Sequence, residues 1–288
     1  MMKAFKQIRA AMSLVNPEEL RRQSSQPVGV GLVATSERGY AELENFLVPP
    51  ELPNEERARL LETVYRAGDR NADPQVDFVL YEAGLPAPKG VFRHWPDDPR
   101  QTVEEILEEH DALSLPLARR FPPFRKAVVS RIVNAVAREN ALFAITTALP
   151  NIVPNLVELP WAAGEFASDT AFLTMNQFRM AFMIAAACGS EIGFGAQKLE
   201  LGTIAASAFG WRAIARELAG KIPLGAGLIP KGAIAFAGTY LIGKGLERLH
   251  GCGVPYTAEE RKQVYREGYR RGIAIAQSAS ESEAPPAA

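Results

Sequence analysis

Cysteine is nearly missing from this chain: 288 residues hold two, Cys188 and Cys252. Two lone thiols make no disulfide framework, which excludes a stapled secreted scaffold and fits a reducing compartment. Excess charge of one sign is missing too. Lys+Arg number 32 against 33 Asp+Glu, a net charge of −1, so no global field favours nucleic acid or an acidic substrate. No continuous apolar h-region of a secretory signal opens the chain. No run of about 20 apolar residues passes without a helix breaker, as a clean membrane span requires. What is present is contrast. Residues 1–135 are charged and punctuated by proline, whereas Ala141 to Leu246 is apolar and rich in Ala and Gly.

Met1, Phe5, Ile8, Met12 and Val15 recur at helical spacing, predicting a short amphipathic helix. It either docks on its own domain or lies in a membrane interface. Asn16 and Pro17 suit the cap and first position of a further helical turn. Val28–Ser36 reads as a buried strand, and Ser36 as the cap of a helix ended by Val48-Pro49-Pro50. Asn54–Ala67 reads as a second helix and Val76–Gly84 as a second buried strand. Strand, helix, helix, strand outlines a βαβ crossover, hence a small α/β module with parallel pairing. A short strand fits Gly90–Trp95, and Thr102 to Glu105 reads as a capping box starting a helix to His110.

A phosphate-binding loop after the first strand fails on its chemistry. Counted from Gly31, Glu37 stands at the required Lys and Arg38 at the required Ser/Thr. A carboxylate there opposes a phosphate. His94 beside Trp95 reads as a surface packing pair, and His110, with acidic neighbours and no second ligand at metal spacing, as solvated.

The second half reads as helices broken by Pro150/Pro154, Gly193/Gly195 and Pro223/Pro230. One helix starts at Phe124, one runs from Trp161 to Cys188, one from Leu199 to Leu218, and one from Lys231 to Leu249. Gly202, Ala206 and Gly210, four apart, allow close helix approach. A second capping box, Thr257 to Glu260, begins a basic helix bearing Arg261, Lys262, Arg266, Arg270 and Arg271.

Two constellations stand out. Glu165, Asp169 and Asn176 fall within about 40° of one another on one helix face, with Arg179 about 60° away. Three readings fit this stripe: a solvated face, a buried network with Arg179, Arg212 or Lys231, or a polar path in a membrane bundle. Arg119, Arg120, Arg125 and Lys126 cluster around Phe121-Pro122-Pro123-Phe124. They read as a solvated linker and helix start, or as a contact for anionic lipid.

The blocks ALPNIVPNLVELPWA, TAFLTMNQFRMAFMIAAACG and IPLGAGLIPKGAIAFAGTYLIGKGLER resemble the GTPase-associated helical domain of unknown function. That domain occurs in YcjF-type inner-membrane proteins and at the C-termini of some Era-like or dynamin-like small GTPases. The likeness covers about residues 125–272. Leu14-Val15-Asn16-Pro17, the strand Val28–Ala34 and Asp77–Tyr81 resemble the core of such GTPases. With Glu37 and Arg38 in place, the resemblance implies a nucleotide-free remnant without catalytic residues.

The expected architecture is mainly α. It comprises a small N-terminal α/β module over 1–118, a C-terminal apolar bundle of four or more helices over 119–276, and a disordered tail over 277–288. The expected role is a non-enzymatic helical scaffold at the cytoplasmic face of the inner membrane. Its partner would be a protein, a GTPase included, without nucleic acid, cofactor or metal, and self-association stays open. The alternatives are a soluble helical interaction module in the cytoplasm and a GTPase-like protein with a non-standard nucleotide site.

Overall fold

The computed structural model describes residues 15–68, 76–86, 88–147, 169–205 and 228–282. The expected N-terminal helix, the Pro150/Pro154 loop, Glu165, Gly210, Arg212 and the loop around Pro223 lie outside these. The chain divides into two compact units. One comprises residues 19–130 and 186–191, the other 1–18, 131–185 and 192–288.

In the first unit, α1 (Pro17–Ser24) precedes β1 (Val30–Val33), α2 (Glu37–Leu47) and α3 (Asn54–Leu61). Then come β2 (Val64–Arg66), β3 (Phe78–Tyr81), β4 (Phe92–Arg93), α4 (Pro99–Glu109), a 3-10 turn (Asp111–Leu113) and α5 (Ser114–Arg120). The sheet order is β2-β1-β3-β4 and every pairing is parallel, with Val30 opposite Val64 and Phe78, and Leu80 opposite Phe92. Parallel strands need crossovers, which cover a sheet face with helices. Val30, Leu32, Phe78, Leu80 and Phe92 are accordingly buried, together with Leu43 and Leu47 of α2.

Several local signals hold. Ser36 Oγ accepts from the Gly39 amide at 3.0 Å and caps α2, and Val48 ends it. Asn16 Oδ1 accepts from the Glu18 amide at 3.1 Å. Others need correction. The helix expected over Asn54–Ala67 stops at Leu61, because Val64-Tyr65-Arg66 pairs as a strand with β1. Helix α4 starts at Pro99, whose fixed φ suits a first turn. Thr102 caps nothing: it is buried, and its hydroxyl accepts from the Trp95 amide at 2.9 Å.

In the second unit the bundle carries α6 (Pro122–Thr146, the unit division falling after Ser130), α7 (Asp169–Ala187), α8 (Leu228–Cys252) and α9 (Ala258–Ser282). Residues 198–205 are also helical. The molecule is thus mainly α, a helical bundle with a small parallel α/β module. Helices α8 and α9 form a hairpin. Thr257 opens α9 with the expected capping box: its amide donates to Glu260 Oε2 at 2.8 Å, and the Glu260 amide donates to its hydroxyl. The hairpin packs tightly because α9 offers Gly268, Gly272 and Ala276 at spacing four. A Cβ on Gly272 would lie 2.8 Å from Ala233 Cα, and one on Gly268 3.1 Å from Ala237 Cα. The disordered tail expected from 277 is helical as far as Ser282.

Candidate functional site

The bundle interior is where the polar stripe resolves. Helix α7 presents Asn176, Gln177 and Arg179, α6 presents Glu139 and Asn140, and α8 presents Thr239. Asn176 Nδ2 donates to Asn140 Oδ1 at 2.9 Å, and Asn140 Nδ2 donates to Thr239 Oγ1 at 2.9 Å. Gln177 Nε2 reaches the same hydroxyl at 3.3 Å. Arg179 Nη2 donates to Glu139 Oε2 at 2.6 Å. Asn140 and Asn176 are completely buried. A buried amide without partners destabilises, so these groups fix which helix faces meet. Asn176 Oδ1 is buried without a hydrogen-bond partner among the described residues.

Burial pushes the Glu139 carboxyl above the usual carboxylate range, and the Arg179 guanidinium beside it only partly counters that. Each of the two side chains retains 27% exposure. Of the predicted stripe, Asn176 and Arg179 therefore join one network. Asp169 opens α7, and Glu165 is outside the described residues. Glu139 and Asn140 were missed by sequence reading. Nothing local marks them on a helix that also carries Arg131, Asn134 and Arg138.

The three arginines of the basic cluster at 119–126 turn inward within the α/β unit, whereas Lys126 is exposed. Arg119 Nη1 donates to the carbonyls of Ser190 at 3.0 Å and Ala186 at 3.4 Å. Arg120 Nη2 donates to the carbonyl of Arg59 at 3.2 Å, and Arg125 Nε to that of Ala118 at 3.2 Å. Guanidiniums here satisfy carbonyls at helix ends, which otherwise lack donors. Lys126 lines a shallow cavity of about 290 Å³ with Phe46, Arg100 and Glu104.

The strand ends of the sheet, where doubly wound folds place ligands, carry the protein's own acids, paired within the unit. Glu82 Oε2 accepts from the Thr35 amide at 2.8 Å and from the Thr35 hydroxyl at 3.0 Å. Its carboxylate also lies where a Cβ on Gly39 would point. Glu37 is held by Arg66 at 2.7 Å, and Arg66 also binds Glu44 at 2.7 Å. Arg38 is exposed. His94 is not the surface residue expected beside Trp95. It is 4% exposed, with its ring 4.6 Å from Phe46. Burial holds its pKa below the ordinary value, with Glu42 opposing. His110 is partly covered rather than solvated, its ring 5.5 Å from Phe92. Among the described residues no group of three His, Cys, Asp or Glu is placed to hold a metal, and no helix is long and apolar enough to cross a membrane.

Fold and interior together define a class: a helical bundle with an internal polar network, carrying a parallel α/β module. No family model matches the chain, and no solved structure matches it. Among curated proteins it is similar to a nucleoid-associated protein of Brucella anthropi, 30% identical over 96 residues, which span 31% of this chain and 90% of that protein. Over that stretch the chain belongs to the family of that protein.

Proposed function

We propose that the protein is a non-enzymatic helical scaffold that lies peripherally on an anionic membrane surface and uses α9 as its contact. One observation supports this above the others. Lys262, Arg266 and Arg270 stand four apart on α9, and all three are exposed. They lie two residues off the Gly268, Gly272, Ala276 stripe that packs on α8, so they point roughly 200° away from it. The cations form a ridge facing away from the partner helix. Each Lys or Arg held near an anionic leaflet contributes about 1 kcal/mol. The resemblance to the GTPase-associated helical domain agrees with a scaffold serving a protein partner.

The test is flotation with phosphatidylglycerol-containing vesicles against neutral ones. Binding to anionic vesicles only, weakening as salt rises and lost in K262E/R266E/R270E, is expected. Failure to float at low salt overturns the reading.

A second reading has one observation in its favour, the Brucella relative named for the nucleoid. The same ridge would then meet phosphates of nucleic acid. Gel shifts with duplex DNA that the triple variant abolishes, with no flotation, favour it. A soluble interaction module is the reading left if neither polyanion binds.

A further inference from the structure

We propose that the groove between α8, the helical stretch 198–205 and the start of α9 receives an amphipathic helix from a protein partner, with one Lys or Arg of that helix meeting Glu200. The groove encloses about 430 Å³, and Ile204, Leu241, Leu246 and Leu249 supply apolar walls. Of the three large exposed hydrophobic residues among those described, one lines the groove and two neighbour lining residues in the chain. Leu249 lines the groove at 37% exposure, Leu199 precedes Glu200 at 79%, and Val254 precedes the lining residue Pro255 at 55%. An open concave site with mainly apolar walls and a few placed polar groups is the usual form of a recognition site.

The wall formed by Pro255 and Tyr256 is built rather than loose. Arg248 Nε donates to the Val254 carbonyl at 3.2 Å, Nη1 pairs with Glu260 at 2.8 Å, and the guanidinium lies 4.6 Å from the Tyr256 ring centroid.

Charge selects the occupant. Glu200 lines the groove with its side chain 15% exposed. Its Oε1 lies 3.5 Å from His250 Nε2, while its Oε2 is buried without a hydrogen-bond partner among the described residues. A buried carboxylate oxygen without a donor is unfavourable, and an arriving ammonium or guanidinium supplies one. Apolar walls around one acid match a helix whose i, i+3, i+4, i+7 stripe carries a single cation. Arg261 lines the mouth and is exposed, which suits an acidic residue at the edge of the same helix.

The inference rests on the scaffold reading and gives it a second surface, distinct from the cationic ridge. Gly245 makes it testable without damaging the fold. It lines the groove, and a Cβ there meets nothing within 4 Å. Gly245→Leu fills the groove and also favours the helix. The probes are fluorescein-labelled Leu/Ala helical peptides with one Lys placed in turn at each position of the apolar stripe. At least one should bind the full chain. Its affinity should fall tenfold or more when its Lys becomes Gln or in Glu200→Gln, and should vanish in Gly245→Leu. Flotation on anionic vesicles should be unchanged by Gly245→Leu, so loss of peptide binding and failure of the membrane reading are seen separately. The proposal is overturned if no peptide binds, or if Lys and Gln peptides bind alike. It is also overturned if Gly245→Leu abolishes self-association in sedimentation, meaning a second copy fills the groove, or abolishes flotation, meaning lipid does.

Discussion

The two units bury polarity by opposite means. In the α/β unit the interior is mostly apolar, His94 against Phe46 being an exception, and other polar side chains there serve backbone groups: Thr102 holds an amide of the preceding loop, and Arg119 and Arg120 hold carbonyls at or near helix ends. In the bundle, side chains answer side chains. Asn140, Asn176, Gln177 and Thr239 hydrogen-bond to one another across three helices. A sheet register already specifies which residues meet, so its interior needs no matched polar side-chain pairs. Helices packed on Ala, Gly and Phe could slide by a turn with little change in burial. Matched polar pairs remove that freedom.

The contrast can be broken at its strongest point by Arg179→Met. Glu139 then stays partly buried without its cation. Bundle stability measured by urea unfolding at pH 7 should drop by about 2–3 kcal/mol, less than for a fully buried pair because some exposure remains. Glu139→Gln in the same chain should restore most of it. Little change in the single variant would mean the pair does not hold the helices. Gly272→Ala comes next. The added methyl meets the Ala233 backbone, so α8 and α9 must separate, at about 1–3 kcal/mol. A thermal midpoint unmoved by this change would contradict the tight hairpin.

Acidity should sharpen the comparison, since the units respond with opposite sign. Glu139 has a raised pKa when folded, so it holds its proton more tightly folded than unfolded. Bundle stability should therefore fall as pH rises above 4.5, the ordinary carboxyl value. His94 has a lowered pKa when folded and binds its proton more weakly there. The α/β unit should therefore lose stability as pH falls below 6.5. Hydrogen exchange of amides in β1 and in α7, followed against pH, separates the two slopes, and parallel slopes would refute the assignment. The smallest effect is Ser36→Ala, which removes the α2 cap for about 1 kcal/mol, read as a shift in urea midpoint.

The α/β unit was the more legible in sequence because its signals are local. Ser36 followed by a helical pattern, Val48 before two prolines, and β-branched runs between turn residues each act within a few positions. It misled where local and tertiary demands disagreed. Val64 to Arg66 continued a plausible helix, but the exposed edge of β1 claimed it. Thr102 matched a capping box, but its hydroxyl served Trp95 instead. In the bundle, Asn176 and Arg179 could be marked as out of place on an apolar helix. Their partners could not, since Glu139 lies 40 residues from Arg179 and Thr239 lies 99 from Asn140. The stripe of Gly268, Gly272 and Ala276 was written in the sequence at spacing four, yet the surrounding arginines drew attention to the other face.

The inward turn of Arg119 bears on the order in which this protein is made. The carbonyls it grips belong to Ala186 and Ser190, and residues 186–191 are part of the α/β unit. On the ribosome, the stretch ending at Ser130 emerges well before them. At about 5–20 residues per second, several seconds pass before the last piece is synthesised. During that interval Arg119 faces solvent or a substitute acceptor. The α/β unit therefore closes only after residues 131–185 of the bundle have been synthesised, and its stability cannot be complete until they have been.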